Sequence, residues 1–126
     1  RIQVPADTFP DDMTATDDVY KDQRSANQLP VLTTKLPLLS GYDVLLIGGP
    51  VWDGQVSSPI MALLNHIQDY QGEVAPFSSG WSDTGNYQQD FKAHAGKVRV
   101  APGYHVLTHA TPKFSLQTLS SWLRKL

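Results

Sequence analysis

The segment at residues 43–49, which reads DVLLIGG, constrains the fold more than any other part of the sequence. Its apolar residues are continuous rather than alternating, which is typical of a strand that helices cover on both faces of a parallel sheet. A short apolar run that ends in glycines also fits a buried strand better than a helix. The segment therefore predicts an α/β protein, whose helices the rest of the chain must supply.

Strand-like and helix-like runs alternate along the chain, as in β-α-β units. Strands are predicted at residues 1–4, 43–49, 74–78 and 97–106, the last with an interruption at Pro102 and Gly103. Helices are predicted at residues 14–27, from 58 onward, at 87–95 and from about 115 to 126, and residues 5–12 and 28–40 are predicted to be connections.

Helix signals support these assignments. Ser58 is predicted to be an N-cap with Pro59 at the first helical position, and Ser115 is predicted to cap the last helix. Phe91 is expected to anchor the helix at 87–95. Apolar residues at helical spacing predict a buried stripe in the helix from residue 58, made of Ile60, Leu63, Leu64 and Ile67. The apolar face of the last helix is predicted to consist of Leu116, Leu119, Trp122, Leu123 and Leu126.

Composition limits the class of protein. The 126 residues suit a single domain, residues 1–126, and the absence of cysteine excludes disulfides, zinc ribbons, iron–sulfur clusters and thiol catalysis. A net charge of −2 gives no support to nucleic-acid binding. The apolar runs are too short to span a bilayer. We expect a cytoplasmic protein without a membrane partner, and the absence of an initial methionine leaves room for an earlier segment.

The first 22 residues are strongly acidic, with only Arg1 and Lys21 as basic residues. This pattern is consistent either with a solvated helix face or with a docking surface for a basic redox partner. The acidic residues are Asp7, Asp11, Asp12, Asp17, Asp18 and Asp22.

Two loops follow predicted strands, at residues 48–56 and 78–86. Ligands of open parallel sheets bind outside the carboxyl ends of the strands, which is where these loops belong. Each loop contains glycine, residues with small side chains and one tryptophan. This mixture suits a flat aromatic ligand. Trp52 and Trp81 fit equally well as ordinary packing residues at the bases of the loops.

Residues 42–54, YDVLLIGGPVWDG, resemble the pattern Y-D-x-[hydrophobic]-x-x-G-x-P-[hydrophobic]-W-W-G of short flavodoxin-like proteins. Phe9-Pro10 ahead of a polar helix, residues 39–42 (LSGY), 76–79 (PFSS) and 119–123 (LSSWL) extend the resemblance over essentially the whole chain. The resemblance implies a three-layer sandwich with a parallel sheet of order 2-1-3-4-5, the cofactor FMN and redox chemistry.

In that family the two loops border the isoalloxazine ring of FMN. The resemblance therefore implies cofactor-binding roles for the corresponding residues, the best candidates being Val51, Trp52, Gly54, Ser79 and Gly80. The full set of implied contacts comprises Pro50, Val51, Trp52, Asp53, Gly54, Gln55, Ser78, Ser79, Gly80, Trp81 and Gly85. Asp53 replaces a frequent second tryptophan, so Trp81 is expected to take over the stacking role.

The family begins with a strand, a phosphate-binding loop and a helix, and the sequence contains no match to them. Residues 1–4 resemble the second strand instead, so the central first strand is expected to be missing from this N-terminally incomplete domain. Three explanations stay open: the segment is supplied elsewhere, the chain is a fragment, or the sheet is rewired.

Function has several candidates. An FMN-dependent electron carrier competes with a small NAD(P)H-dependent quinone or nitro reductase and with a flavin-free interaction module. The expected partner is a redox protein or a small-molecule electron acceptor, with the chain as monomer or homodimer. Hydrolase and metal chemistry are disfavoured, since no G-x-S-x-G motif occurs, and His105 and His109 lack the glutamate of H-E-x-x-H.

Overall fold

A computed structural model describes residues 1–109 and 116–126. The α-helices are α1 (Met13–Ala26), α2 (Ser58–His66), α3 (Tyr87–Ala95) and α4 (Leu116–Leu123), and a short 3₁₀ helix spans Leu39–Gly41. The strands are β1 (Val44–Trp52), β2 (Gln55–Val56), β3 (Glu73–Gly80), β4 (Arg99–Val100) and β5 (Tyr104–Leu107). The α/β class predicted from the sequence is confirmed.

The strands form one mixed, mostly parallel sheet in the order β2-β1-β3-β4. β1 and β3 are parallel and pair along seven residues, from Val44 opposite Glu73 to Pro50 opposite Ser79. β4 and β5 pair one after the other with β3, also in parallel, and only β2 is antiparallel to its neighbour. The interruption predicted at Pro102 and Gly103 separates β4 from β5.

The strand predicted at residues 1–4 is wrong, because these residues form no ladder with the sheet. They lie beside Thr33 and Thr34, with the Thr33 N–H donating to the Gln3 carbonyl at 2.9 Å. A four-residue run has too few backbone hydrogen bonds to hold itself in a sheet without a neighbouring strand. Ile2 nevertheless packs against the hydrophobic core.

The helices α2 and α3 cover one face of the sheet and form the core. The stripe predicted for α2 is confirmed: Ile60, Leu63, Leu64 and Ile67 are all buried. Phe91 of α3 has no exposed surface and anchors its helix as expected. A Cβ on Gly49 would lie 3.0 Å from Ile60, so this glycine allows α2 to approach the sheet closely.

The opposite face carries α4, among the described helices. Trp122 of α4 donates its indole N–H to the Pro102 carbonyl at 2.8 Å and stacks on Tyr104, with 5.5 Å between ring centroids. Side chains on this face stay accessible to water, with Leu46 50% and Phe77 42% exposed. The ring of Phe77 lies directly over Gly48.

The helix ends differ slightly from the sequence prediction. Ser57 rather than Ser58 is the N-cap of α2, so Ser58 is the first helical residue and Pro59 the second. Either position suits proline, whose missing N–H is unpaired in the first turn anyway. The cap predicted at Ser115 lies outside the described residues. No helix among the described residues is long and apolar enough to cross a membrane.

Candidate functional site

The two loops predicted to bind a ligand meet at the carboxyl edge of the parallel strands. The Asn86 N–H donates to the Gly54 carbonyl at 2.7 Å. A Cβ on Gly85 would lie 2.8 Å from the Gly54 carbonyl oxygen, so the contact requires glycine. Gly54 and Gly85 both have positive φ, at 69° and 50°, where glycine is also favoured. The edge is therefore one continuous surface made by both loops.

The first loop is a tight β-hairpin. Trp52 pairs with Gln55, which leaves Asp53 and Gly54 as the two turn residues. Their φ angles are 50° and 69°, the sign that a type I′ turn requires at both positions. Asp-Gly is a strong sequence signal for this turn. Residues 53 and 54 therefore predict a hairpin, where only a loop was predicted above.

Side chains from α1 and α3 hold this hairpin from beneath. The buried Tyr20 hydroxyl lies 2.8 Å from the Val56 carbonyl oxygen and 3.2 Å from that of Trp52. The Val56 N–H donates to Asp90 Oδ2 at 2.9 Å. Arg24 reaches both oxygens of Asp90, at 2.8 and 3.1 Å. Both backbone polar groups of Val56 are thus bound by side chains distant in sequence.

The charge of Asp90 is stabilised at this position. Burial alone would raise the pKa of its carboxyl, but the hydrogen bonds from His94, Arg24 and the Val56 N–H outweigh burial. The pKa of Asp90 therefore lies well below its usual range. Its hydrogen bond in turn raises the pKa of the Arg24 guanidinium. The pair is fully ionised throughout the neutral range.

The two tryptophans occupy different environments. Trp52 is half-buried and makes T-shaped contacts with Phe9 and Tyr20, at centroid distances of 5.4 and 5.3 Å. Trp81 is 68% exposed and lies against His109, with 4.8 Å between ring centroids. The large free indole face at this edge thus belongs to Trp81.

The second loop is joined to the first at its base. A Cβ on Gly80 would lie 2.8 Å from the Asp83 carbonyl and 3.2 Å from Val51, so these loops pack closely here too. Asp83 accepts the Gly85 N–H at 2.8 Å, a short local bond that shapes the turn. Thr108, just after β5, donates its N–H to the Gly80 carbonyl at 2.8 Å.

Ser78 lies apart from the exposed edge. Its side chain is buried toward α3, where its hydroxyl is 2.7 Å from His105 Nδ1. The other ring nitrogen of His105 lies 3.3 Å from the Gln88 side-chain oxygen, which assigns the proton to Nε2. Burial lowers the pKa of His105, so the imidazole stays neutral at pH 7.

The remaining predicted contact residues lie along the edge: Pro50, Asp53 and Ser79 are exposed, whereas Val51 and Gln55 are half-buried. Tyr20, Arg24 and Asp90 were not predicted from the sequence. No local signal could have joined them, because Arg24 and Asp90 are 66 positions apart. Among the described residues no three His, Asp or Glu side chains converge in a way that could hold a metal ion.

The chain was compared with protein-family models, curated protein sequences and solved structures. No protein-family model and no curated protein sequence matches the chain. A crystal structure of a flavoprotein from Lactobacillus acidophilus NCFM in complex with FMN is 27% identical, with a TM-score of 0.82. That match covers 97% of this chain and 77% of the flavoprotein.

Two further structures agree. The NMR structure of the apo form of the flavoprotein from Lactobacillus acidophilus NCFM is 31% identical over 82% of this chain and 70% of that one, with a TM-score of 0.64. A protein from Bacteroides uniformis ATCC 8492 shares the fold, with a TM-score of 0.73 at 20% identity, over 98% of this chain and 78% of its own. The identity to the apo flavoprotein over most of both chains, together with the shared fold, shows that this chain belongs to the family of small flavodoxin-like flavoproteins.

Proposed function

We propose that this chain binds FMN along the carboxyl edge of its sheet and serves in electron transfer through the bound flavin. One observation carries the proposal: the hairpin around Gly54 and the loop around Gly85 meet at this edge, beside the exposed indole of Trp81. The FMN complex of the Lactobacillus acidophilus flavoprotein supports the choice of ligand.

The residues at the edge suit the ring of FMN. Trp81 offers an indole face for stacking, and the closely packed glycines let backbone groups approach a flat ligand. Pro50 and Ser79 present small exposed groups between the two loops. When bound, FMN supplies the redox chemistry, and the residues of this chain hold its ring and set the charge around it.

The phosphate of FMN finds less support among the described residues. A helix N-terminus is the usual anion site. Here α1 begins next to Asp11 and Asp12, and Asp12 caps the helix by accepting the Ala15 N–H at 2.8 Å. A carboxylate at this position repels a phosphate. We therefore propose that the phosphate is held by a segment docked along the outer edge of β1, the edge that faces away from β3.

The place for such a segment is the outer edge of β1. β2 pairs with β1 only at Val51 and Trp52, so among the described residues nothing pairs with residues 44–50 on that side. A parallel strand there would take the place of the family's first strand, next to β1, and the order 2-1-3-4-5 would further require residues 1–4 to pair with its outer edge. The unpaired backbone groups of this edge favour the addition of a strand.

An apolar groove lies between this edge and α4. It encloses about 670 Å³ and is lined by Leu46, Phe77, Val106, Leu119 and Leu123, among others. An amphipathic helix following the added strand would bury these side chains, as crossover helices do on parallel sheets. About a quarter of the FMN-bound flavoprotein lies outside its match with this chain, enough for a strand, a loop and a helix.

The electron-transfer role leaves a partner to be named. The acidic helix α1 lies beside the hairpin, since its Tyr20 hydroxyl contacts the Trp52 and Val56 carbonyls, and Asp18 and Asp22 of this helix are exposed. We propose a basic redox protein as partner in the cytoplasm, because opposite charges guide such short-lived encounters. A quinone or nitro reductase would instead need an apolar substrate pocket beside the flavin.

Flavin titration tests the proposal. We expect riboflavin and FMN to bind the 126-residue chain with similar, weak affinity, because the phosphate lacks its anchor. Adding a peptide that contains the unmatched part of the Lactobacillus acidophilus flavoprotein should tighten FMN binding selectively. Equal affinity for FMN and riboflavin with the peptide present would disprove the phosphate assignment, and no flavin binding at all would favour the flavin-free interaction module.

The Trp81→Ala variant tests the site itself. Stacking on an aromatic side chain contributes roughly 1–3 kcal/mol in related base–aromatic pairs, so this variant should lose about that much flavin affinity. Trp81→Phe is the matched control, because it keeps an aromatic face at the same position and should retain most of the affinity. Unchanged affinity in Trp81→Ala would place Trp81 among ordinary surface residues.

A further inference from the structure

The hairpin that faces the proposed flavin site is held by a charged pair that does not touch that edge. Arg24 and Asp90 are only 19% and 10% exposed, and they join α1 to α3 beneath the hairpin. A second ion pair, Lys21 with Asp17, joins two residues of α1 and is about half exposed. The pair of Arg24 and Asp90 differs from it in being buried and in joining two helices.

Both members of the pair bind the hairpin backbone. Asp90 accepts the Val56 N–H at 2.9 Å, while Arg24 Nη1 lies 3.4 Å from the Val56 carbonyl oxygen. Arg24 also donates to the Tyr20 hydroxyl at 3.2 Å, and this hydroxyl contacts the carbonyls of Val56 and Trp52. The turn at Asp53 and Gly54 is thus fixed at both of its ends.

We propose that Arg24 and Asp90 are positioning residues, which set flavin affinity by fixing the backbone from Trp52 to Val56. The proposal rests on the proposed function, since the hairpin is the part of the site that would border the flavin ring. A ligand binds more tightly to a loop already held in the bound shape, because less ordering remains to be done on binding.

A guanidinium suits this role for a geometric reason. Its planar fork binds both carboxylate oxygens of Asp90, and the second hydrogen of Nη1 still faces the Tyr20 hydroxyl and the Val56 carbonyl. A lysine at this position would keep the charge but lose the fork. Arg24→Lys should therefore retain the fold and the ion pair while loosening the hairpin, and Arg24→Met should loosen it further.

Amide hydrogen exchange without flavin gives the first readout. In Arg24→Met and Asp90→Asn we expect faster exchange at Val56, whose N–H donates to Asp90, while core amides of α2 stay protected. Two control variants separate positioning from general loss of stability. Asp17→Asn removes the exposed ion pair, and Ile67→Val weakens the core without touching the hairpin. Neither should accelerate exchange at Val56 selectively.

Riboflavin affinity gives the second readout, since this probe carries the ring but no phosphate. We expect it to weaken about tenfold in Arg24→Met and less in Arg24→Lys, with both controls near wild type. Unchanged exchange at Val56, or faster exchange with unchanged riboflavin affinity, overturns the proposal. An affinity loss in Ile67→Val as large as in Arg24→Met also overturns it. If the wild type binds no flavin, the proposed function fails, and the exchange rates alone decide whether the pair fixes the hairpin.

Discussion

The two faces of the sheet are built differently. On the face covered by α2 and α3, Leu64, Val74, Tyr87 and Phe91 have no exposed surface. On the face that carries α4, large apolar side chains remain partly in water, with Leu46 half exposed. Both faces carry the apolar side chains of a core. Among the described residues, however, only the face under α2 and α3 is closely packed. The difference teaches that side-chain chemistry alone does not make a core, because burial also needs a second layer.

A matched pair of leucine variants gives the largest contrast. Leu64→Ala removes a fully buried side chain and should lower the free energy of unfolding by about 2–5 kcal/mol. Leu46→Ala makes the same chemical change on the open face and should stay within about 0.5 kcal/mol of wild type. Urea denaturation of both variants measures the difference. Equal losses would show that the open face is packed in solution.

Acid should weaken the packed face first, through Asp90. Its lowered pKa stabilises the folded state fully above about pH 4, the ordinary carboxyl range of the unfolded chain. This contribution, on the order of 2 kcal/mol, is lost as the pH falls toward the pKa of the folded state. Unfolding measured from pH 7 to pH 2 should show a flatter acid limb in Asp90→Asn than in wild type. Parallel limbs would contradict the assignment.

Two tyrosines of the packed layer should respond in opposite ways to loss of the hydroxyl. Tyr20→Phe leaves the Val56 carbonyl short of a donor and should cost about 1–2 kcal/mol. The Tyr87 hydroxyl is buried without a partner among the described residues, so Tyr87→Phe should be neutral or slightly stabilising. Thermal unfolding of both variants at pH 7 compares them directly.

Tyr87 also predicts that the folded state loses stability at alkaline pH. Burial raises the pKa of Tyr87 to about 12, and the folded state therefore holds this proton more tightly than the unfolded chain. Its contribution to stability is complete below about pH 10 and is lost as the pH rises toward 12. Tyr87→Phe should remove this part of the alkaline limb. A limb of unchanged steepness would mean that other groups cause it.

The smallest effect on stability is expected for a charge on the open face. Leu46→Lys should unfold within about 0.5 kcal/mol of wild type, because the long side chain can reach water. It should nevertheless block docking of the peptide used in the flavin titration, because the docked peptide would bury the ammonium group of the lysine. Calorimetry with the peptide tests this, with Lys35→Ala as a control on a surface outside the groove. Undiminished peptide binding would separate Leu46 from the docking surface.

Local patterns predicted the elements that carry their own signals. The helix Tyr87–Ala95 matches its predicted bounds, and the apolar run at residues 43–49 is the heart of β1. β1 and β3 extend further than predicted because their ends pair with β2 and with each other, although Pro50 and Gly80 are poor strand formers. Pairing with a neighbour overrode the local preference there.

The candidate site was predictable only in part. The positions of both loops follow from strand order, since the carboxyl ends of parallel strands share one edge. The buried ion pair of Arg24 and Asp90 did not follow, because it depends on how α1 and α3 sit against the hairpin. The roles given to Ser78 and Trp52 depended on side-chain direction as well, which the resemblance could not supply.

Along residues 44–50, no described residue pairs with the outer edge of β1, and this bears on how the protein behaves at high concentration. Residues 44–50 carry no charge, and the proline that would interrupt a ladder stands only at the end, at Pro50. Edges of this kind recruit further chains and seed aggregation unless something covers them. Any segment that completes the sheet would therefore also keep the protein dispersed, and loss of that segment would appear as precipitation before it appeared as unfolding.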